Sequence, residues 1–251
     1  STVVKNYYYD NNAYFFSNRT TTTDSKGQTI TTRRKYPQDY AGIGIYDEMI
    51  TRNMLNQVVK ATTERGSTIV NGDSVIYALY NAGTLLGRKG IDRHNRTNHV
   101  FEPMLRINHY DAAGNILEQQ KVNDIKSSYL WAHNNSYPIA ETNNADYGSI
   151  AYSSFEAAET GNWDYSSSGI TTAYQGITGK KAFALSSSNI QRTGLISSMS
   201  YVVTYWKSDA AGGSVSLGGA ALMSKNGWTL YQTKITGVTS ITISGSAVID
   251  E

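Results

Sequence analysis

The sequence contains no cysteine and only three prolines among its 251 residues. The absence of cysteine excludes disulfides, thiolate metal sites and a cysteine nucleophile. Neither sign of charge dominates, because 22 lysines and arginines face 20 acidic residues and the formal net charge is only +2. This balance gives no indication of nucleic acid or an anionic membrane as a partner. No apolar run approaches the roughly 20 residues that a membrane-spanning helix needs, so the sequence predicts no membrane span.

The abundant residue types are those that favour β-strands and turns. There are 19 tyrosines and 22 glycines, and threonine, serine and asparagine are frequent. This composition favours strands joined by Gly/Asn turns over helices, and the length suits one large or two ordinary domains. The first residues contain no signal-peptide core and no initiator methionine, and they read as the inside of a strand. We therefore expect a fragment of a longer protein.

The clearest local pattern is a hairpin in residues 107–141. Asp111, Gly114 and Asn115 stand between two short flanks that carry apolar residues. Glycine and asparagine tolerate positive φ, and an aspartate side chain accepts hydrogen bonds from the backbone that follows it. A second pair of flanks brackets residues 133–136 about twenty residues later. The region predicts two consecutive hairpins.

The same residues carry a resemblance to a known family. The motif YDxxGNxL starts at Tyr110, and a degenerate copy, SYLWxxxNxYPIAE, starts at Ser128. This pair resembles the YD repeat of the rearrangement-hotspot (RHS) family, in the form seen in large surface proteins of Bacteroidetes. The resemblance implies a ribbon of β-hairpins that spirals around a hollow shell, with any catalysis in a separate toxin domain. The alternative is an ordinary isolated hairpin.

Other patterns in the first part are weaker. Thr-rich runs at residues 19–23 and 28–34 flank a turn at residues 24–27 and predict another hairpin. Residues 47–60 are the best helix candidate, with methionines that serve packing; we expect the helix to be short and residues 58–64 to turn into a strand. Asn71-Gly72-Asp73 predicts a turn inside a hairpin of residues 67–79. The basic stretch at residues 83–96 is either an anion or glycan contact or a solvated loop.

The character of the sequence changes after residue 141. Short apolar patches alternate with Ser, Thr and Gly, which is typical of a β-sandwich. The strand around Tyr201 and Val202 has apolar residues at successive positions, so we expect burial on both of its faces. The predicted domains are residues 1–147, a hairpin region, and residues 148–251, a sandwich.

The second domain also resembles a known fold. The fragments YSSFE from Tyr152, GNW from Gly161, GKKAFAL from Gly179 and IDE from Ile249 occur in that order. They are similar to motifs of galactose-binding-like jelly rolls, the fold of many carbohydrate-binding modules. The resemblance implies a structural Ca²⁺ held by Glu156 and Asp250; the alternative is that both are surface carboxylates. We also expect the domain to lack part of its last strand.

Glycan binding needs exposed aromatic platforms, and Trp163, Tyr165 and Tyr174 are the predicted ligand-binding residues. No catalytic motif is present, and no residue is predicted to be catalytic. His94 and His99 are five residues apart, whereas a helical zinc pair is separated by four. The sequence therefore predicts no histidine metal site.

Together these patterns predict an all-β protein, an RHS-type β-hairpin ribbon followed by an antiparallel β-sandwich of the jelly-roll kind. The predicted function is that of a non-enzymatic structural fragment of a large secreted or cell-surface protein. Its partner would be the remainder of the same polypeptide or shell. The alternative is a carbohydrate-binding module of a surface adhesin, with glycan as partner. The Bacteroidetes resemblance implies export by the type IX secretion system.

Overall fold

The computed structural model describes residues 4–251 and divides the chain into two compact units, Ser1–Ile125 and Lys126–Glu251. Antiparallel strands dominate both, so the predicted all-β class is confirmed. Within the described residues no helix is long and apolar enough to cross a membrane. The predicted border between residues 147 and 148 separates the RHS-like region from the jelly-roll-like region, and it stays a prediction.

The part of the first unit that the structure describes, residues 4–125, contains eight strands that pair in chain order. Every strand is antiparallel to the next one, and no strand is skipped. The strands are β1 (Lys5–Tyr8), β2 (Arg19–Thr23), β3 (Thr29–Lys35), β4 (Lys60–Arg65), β5 (Thr68–Tyr80), β6 (Leu85–His94), β7 (Phe101–Tyr110) and β8 (Ile116–Lys121).

The predicted turn between β7 and β8 is present. Asp111 accepts the backbone N–H of Asn115 on its Oδ1 at 2.8 Å, and its own N–H donates to the Asn115 carbonyl at 3.0 Å. Gly114 adopts a φ of +91°, which a residue with a Cβ rarely adopts. Tyr110 consequently pairs with Ile116 across the hairpin. The turn between β2 and β3 uses the same chemistry, with Asp24 accepting two backbone amides.

The turn predicted at Asn71-Gly72-Asp73 is wrong. These residues lie inside the continuous strand β5, and the chain reverses instead at Gly66, whose φ is +59°. Gly72 serves close packing, because a Cβ there would lie 3.0 Å from the Ala61 carbonyl oxygen and 3.1 Å from the Phe101 ring. The basic stretch predicted as a loop is mostly strand β6.

The helix α1 runs from Gly44 to Thr51, so it is short as expected but starts and ends before the bounds of residues 47–60, and the expected strand follows as β4. Asn53 explains the early end, because it adopts a φ of +59° and its N–H donates to the Ile50 carbonyl at 3.0 Å. Met49, fully buried, packs the helix onto the sheet. Its buried neighbours in this small core are Val59, Tyr77 and Leu86.

The second unit contains a hairpin and two sheets. The strands are β9 (Lys126–Ala132), β10 (Tyr137–Asn143), β11 (Asp164–Tyr165), β12 (Ile170–Thr171), β13 (Ala182–Ala184), β14 (Ile190–Thr193), β15 (Ser200–Ser208), β16 (Ala220–Lys225), β17 (Trp228–Thr236), β18 (Ser240–Ile243) and β19 (Val248–Asp250). β9 pairs with β10. One sheet has the order β11-β14-β18 and the other the order β12-β13-β19-β15-β17-β16. The arrangement is β-sandwich-like.

The sandwich core takes side chains from both sheets. Tyr201, Val203 and Tyr205 of β15 are buried in the same cluster as Ile241 and Ile243 of β18. The expectation that both faces of β15 are buried is wrong, because Val202 is 61% exposed. Side chains of a strand alternate between the two faces, and only one face of β15 meets the core.

Candidate functional site

The loop between β12 and β13 is held by a carboxylate from an earlier segment. Glu156 accepts the backbone N–H groups of Lys180 and Lys181 on its Oε1, at 2.6 and 2.5 Å. The Lys181 ammonium in turn donates to the Glu156 carbonyl at 2.9 Å. Gly179 has a φ of +81°, and a Cβ at this position would lie 2.5 Å from the Glu156 Oε1. Glycine is therefore required here for both its φ and its size.

Asp250 holds the same loop from the opposite end of the chain. It lies in β19 between β13 and β15, and its side chain is 0% exposed. Its Oδ2 accepts the N–H of Ile177 at 2.7 Å and that of Thr178 at 3.4 Å. Burial raises the pKa of Asp250 to about 7, although these backbone hydrogen bonds act in the opposite direction. The carboxyl is thus a group that readily exchanges its proton near neutral pH.

Oxygen atoms converge beside Gly176. A Cβ on this glycine would meet the carbonyl oxygens of Lys181 and Thr178 together with the Asp250 Oδ2. A carboxylate with neighbouring carbonyl oxygens is the donor set that Ca²⁺ prefers. No group of three or more His, Asp or Glu side chains collects anywhere in residues 4–251, so carbonyl oxygens would have to complete such a shell. These residues fit a hard cation at Asp250.

The two predicted calcium ligands therefore have different surroundings. Each carboxylate has one oxygen that accepts two amide N–H groups, and the Oδ2 of Asp250 is in addition adjacent to the convergent carbonyl oxygens. The structure brings both to the loop of residues 176–181. In this arrangement Glu156 positions the loop whose carbonyl groups face Asp250.

The predicted aromatic platforms lie in three different surroundings. Tyr165 donates or accepts a hydrogen bond with the Ser153 hydroxyl at 2.8 Å, and its ring meets Phe155 and Phe183 edge-on at 5.5 and 5.2 Å. Burial raises the pKa of Tyr165. These contacts make Tyr165 part of the sandwich core.

Tyr174 is half-buried and packs against a small cluster that contains Trp228 and Val248. Trp163 is also half-buried and contacts the edge of the main core, but it lines a cavity as well. Neither Tyr165 nor Tyr174 lines this cavity.

The cavity beside Trp163 has a volume of about 110 Å³ and a mixed lining. Arg192 donates to the Gly148 carbonyl at 2.5 Å, while its buried Nε has no hydrogen-bond partner. Tyr152 donates to the Glu251 carboxylate at 3.2 Å, and burial together with this carboxylate raises the pKa of Tyr152 to about 12. An aromatic wall with a guanidinium and a carboxylate can hold a small polar molecule.

Sequence reasoning did not predict the polar residues of this cavity. Arg192 lies in β14 and Glu251 follows β19, so only the assembled sheets bring them near Tyr152 and Trp163. No local motif marks either position.

No protein-family model matches this chain, and no curated protein matches it significantly.

Proposed function

We propose that the chain is a non-enzymatic structural part of a large secreted or cell-surface RHS-like protein, where it contributes to a shell or scaffold. The observation that supports this proposal is the unbroken pairing of β1–β8 in chain order. A sheet made this way contains no crossover, so further hairpins extend it by the same rule. The remainder of the polypeptide is the proposed partner, and type IX export is part of the same proposal.

The β1 edge provides a second argument. Among the described strands β1 pairs only with β2, so its other side presents backbone groups without a neighbouring strand. Tyr7 and Tyr9 next to this edge are 57% and 60% exposed, and Phe15 is 94% exposed. An open edge with exposed aromatic residues is a site for further strand pairing.

Hydrogen exchange tests the scaffold proposal. The amides of β1 should exchange quickly in this chain alone and at least about tenfold more slowly in the longest natural polypeptide that contains it. The amides of β5, which has a strand on each side, serve as the internal control. Equal exchange of the β1 amides in both proteins would contradict the proposal.

A second candidate function is glycan binding at the Trp163 cavity, as in a carbohydrate-binding module. The unpartnered Nε of Arg192 beside an indole is the observation that favours it. A glycan array with the full chain provides the test. Binding should disappear in Trp163→Ala and weaken in Arg192→Gln, and it should persist in Tyr174→Phe. Absence of any signal from the unaltered chain would remove this candidate.

We further propose that a structural Ca²⁺ binds at Asp250, with carbonyl oxygens of the 176–181 loop as further ligands. Such an ion would neutralise a buried carboxylate and fix the loop that Glu156 also holds. A ligand that binds only the folded state raises the melting temperature by mass action. Calcium should therefore raise the melting temperature of the chain and leave that of Asp250→Asn unchanged. An equal response of both proteins, or none, would refute the site.

A further inference from the structure

His94, the last residue of β6, is buried but incompletely satisfied. Its side chain is 6% exposed, and its ring packs edge-on against Phe101 with 5.5 Å between ring centroids. The Nδ1 atom is buried and has no hydrogen-bond partner. A buried polar atom without a partner is unfavourable unless a ligand completes it.

His99 lies directly beside this ring. It is exposed, it adopts a φ of +59°, and its ring centroid is 6.0 Å from that of His94. A non-glycine residue in this region of φ carries strain, and such strain often occurs at binding sites. The structure thus brings together two histidines that sequence spacing alone did not pair.

The loop that carries His99 is held by several hydrogen bonds. Asn95 donates its N–H to the Val100 carbonyl at 2.8 Å and accepts the N–H of His99 at 2.9 Å. The Glu102 carboxylate accepts the side-chain amides of Asn95 and Asn98 at 2.8 and 2.6 Å. These hydrogen bonds lower the pKa of Glu102 and keep it charged. The loop is therefore well organised before any ligand binds.

The distance between the two rings agrees with a shared metal ion. With metal–nitrogen bonds of ~2.0–2.1 Å, each ring centroid would lie ~3.2 Å from the ion, so two rings on one ion are at most ~6.4 Å apart. At a tetrahedral angle the separation would be ~5.2 Å, so His99 on its exposed loop would need to move by less than about 1 Å. The observed 6.0 Å lies between these values.

An open groove of about 510 Å³ borders His94, and His99 lies on the adjoining 95–100 loop outside the lining of this groove. Glu102 and Asp124 contribute acidic groups to its lining, and Arg93 and Lys121 contribute basic ones. Arg93 is engaged by Asp73 at 2.8 Å, so its charge is partly compensated. A hydrated ion can enter this groove and keep water on the coordination positions that the protein does not fill.

We propose that His94 and His99 together bind one divalent transition-metal ion, with the order of affinity Cu²⁺ above Ni²⁺ and Zn²⁺. Imidazole nitrogen suits these three ions, whereas Ca²⁺ and Mg²⁺ require oxygen ligands. Ion binding satisfies the orphaned Nδ1 of His94 and fixes the 95–100 loop against the end of β6. The site is independent of the Asp250 site and of the scaffold role.

The test uses the full chain without a histidine tag. Isothermal titration with ZnCl₂ and CuCl₂ should give one site per chain. His99→Asn should weaken binding by at least about tenfold, which is about 1.4 kcal/mol of binding free energy, because it removes one of the two imidazole ligands. His133→Asn is the matched control, since His133 is also exposed and has a φ of +56°. Asparagine tolerates this φ, so neither change should disturb the fold.

His94→Gln should also abolish binding, and nitrogen hyperfine coupling in the electron paramagnetic resonance spectrum of the Cu²⁺ form should show two imidazoles. If His94→Gln fails to fold, the His99→Asn titration and the spectrum still decide the matter. The proposal is overturned if the unaltered chain binds neither ion at about 1 mM, a concentration typical of very weak complexes. It is equally overturned if His133→Asn weakens binding as much as His99→Asn does.

Discussion

At the scale of single residues, Asp250 makes the folded protein sensitive to pH. Its pKa rises from 3.8 to about 7 on folding because the side chain is buried. A carboxyl with a raised folded pKa stabilises the fold when protonated. This stabilisation is complete below pH 3.8 and is lost as the pH rises through about 7. Four other carboxyl groups have a lowered pKa, so they stabilise the fold when ionised, and this stabilisation is lost only in the acidic range. They are Asp10, Asp39, Glu102 and Glu159.

We therefore predict that Asp250→Asn abolishes most of the pH dependence of stability between pH 3.8 and about 7. Without calcium the unaltered chain should lose up to about 4 kcal/mol of unfolding free energy over the full shift, at 1.36 kcal/mol per pKa unit. Urea unfolding at several pH values, with a calcium chelator present, measures this. Asp164→Asn, at the exposed position of β11, is the control and should keep the pH dependence of stability. A pH profile of Asp250→Asn that matches the unaltered chain would contradict the assignment.

Substitutions at two glycines with similar backbone angles distinguish the cost of a positive φ from the cost of steric crowding by an added Cβ. Gly161 and Gly194 have φ values of +60° and +73°. A Cβ at Gly161 would overlap the carbonyl oxygen of Tyr152, whereas a Cβ at Gly194 would meet nothing within 4 Å. Gly194→Ala should cost about 1 kcal/mol from the backbone angle alone. Gly161→Ala should cost about 3 kcal/mol or more, because overpacking adds to that strain. Chemical denaturation of both variants measures the difference, and equal losses would be inconsistent with crowding at Gly161.

At the scale of elements, the turn between β9 and β10 depends on a distant carboxylate. Glu159 accepts the backbone N–H groups of His133 and Asn134 at 3.0 and 2.7 Å. Residues 133–135 have positive φ, so the turn is strained without these bonds. Hydrogen bonds from its own amide and from these residues lower the pKa of Glu159. The stability that the ionised Glu159 carboxylate contributes is present above pH 4.5 and is lost as the pH falls through the lowered pKa.

Glu159→Gln should therefore increase amide exchange of residues 133 and 134 by several-fold at pH 7, because charge-assisted hydrogen bonds are roughly twice as strong as neutral ones. Glu141→Gln, an exposed change on β10 of the same hairpin, should leave these amides unaffected. Hydrogen exchange followed by nuclear magnetic resonance resolves both sites. If the two variants behave alike, the carboxylate does not anchor this turn.

The sequence predicts those elements whose turns are determined by residues within four or five positions. Asp111, Gly114 and Asp24 form their own hydrogen bonds and angles, so these hairpins were predictable. Asn71-Gly72 was misread because Gly72 is determined by contact with Ala61 and Phe101, which are distant in sequence. The candidate site divides in the same way. The resemblance implies Asp250 as a calcium ligand, whereas the burial of Asp250 follows from the placement of β19 between β13 and β15.

At the scale of the whole molecule, the buried apolar side chains are unevenly distributed. In the described part of the first unit, the core cluster holds four buried residues beneath α1. The main cluster of the sandwich holds twelve, among them Phe183 and Ile190, which are almost completely buried. Apolar burial is the dominant favourable contribution to folding. The described part of the first unit therefore gains less from its clustered apolar core than the sandwich does.

We predict from this distribution that β1–β3 lose protection at lower denaturant concentration than β13, β15 and β18. Hydrogen exchange of the full chain across a urea series, followed by mass spectrometry, measures each region in the same sample. Strand β5 should fall between these groups, because it contributes Tyr77 to the core beneath α1.

Met49→Ala should lower the protection of β5 further, since removing a fully buried methionine costs about 2–5 kcal/mol. The exposed change Met223→Ala on β16 is its control. Simultaneous loss of protection in all regions would show that local core size does not set the order.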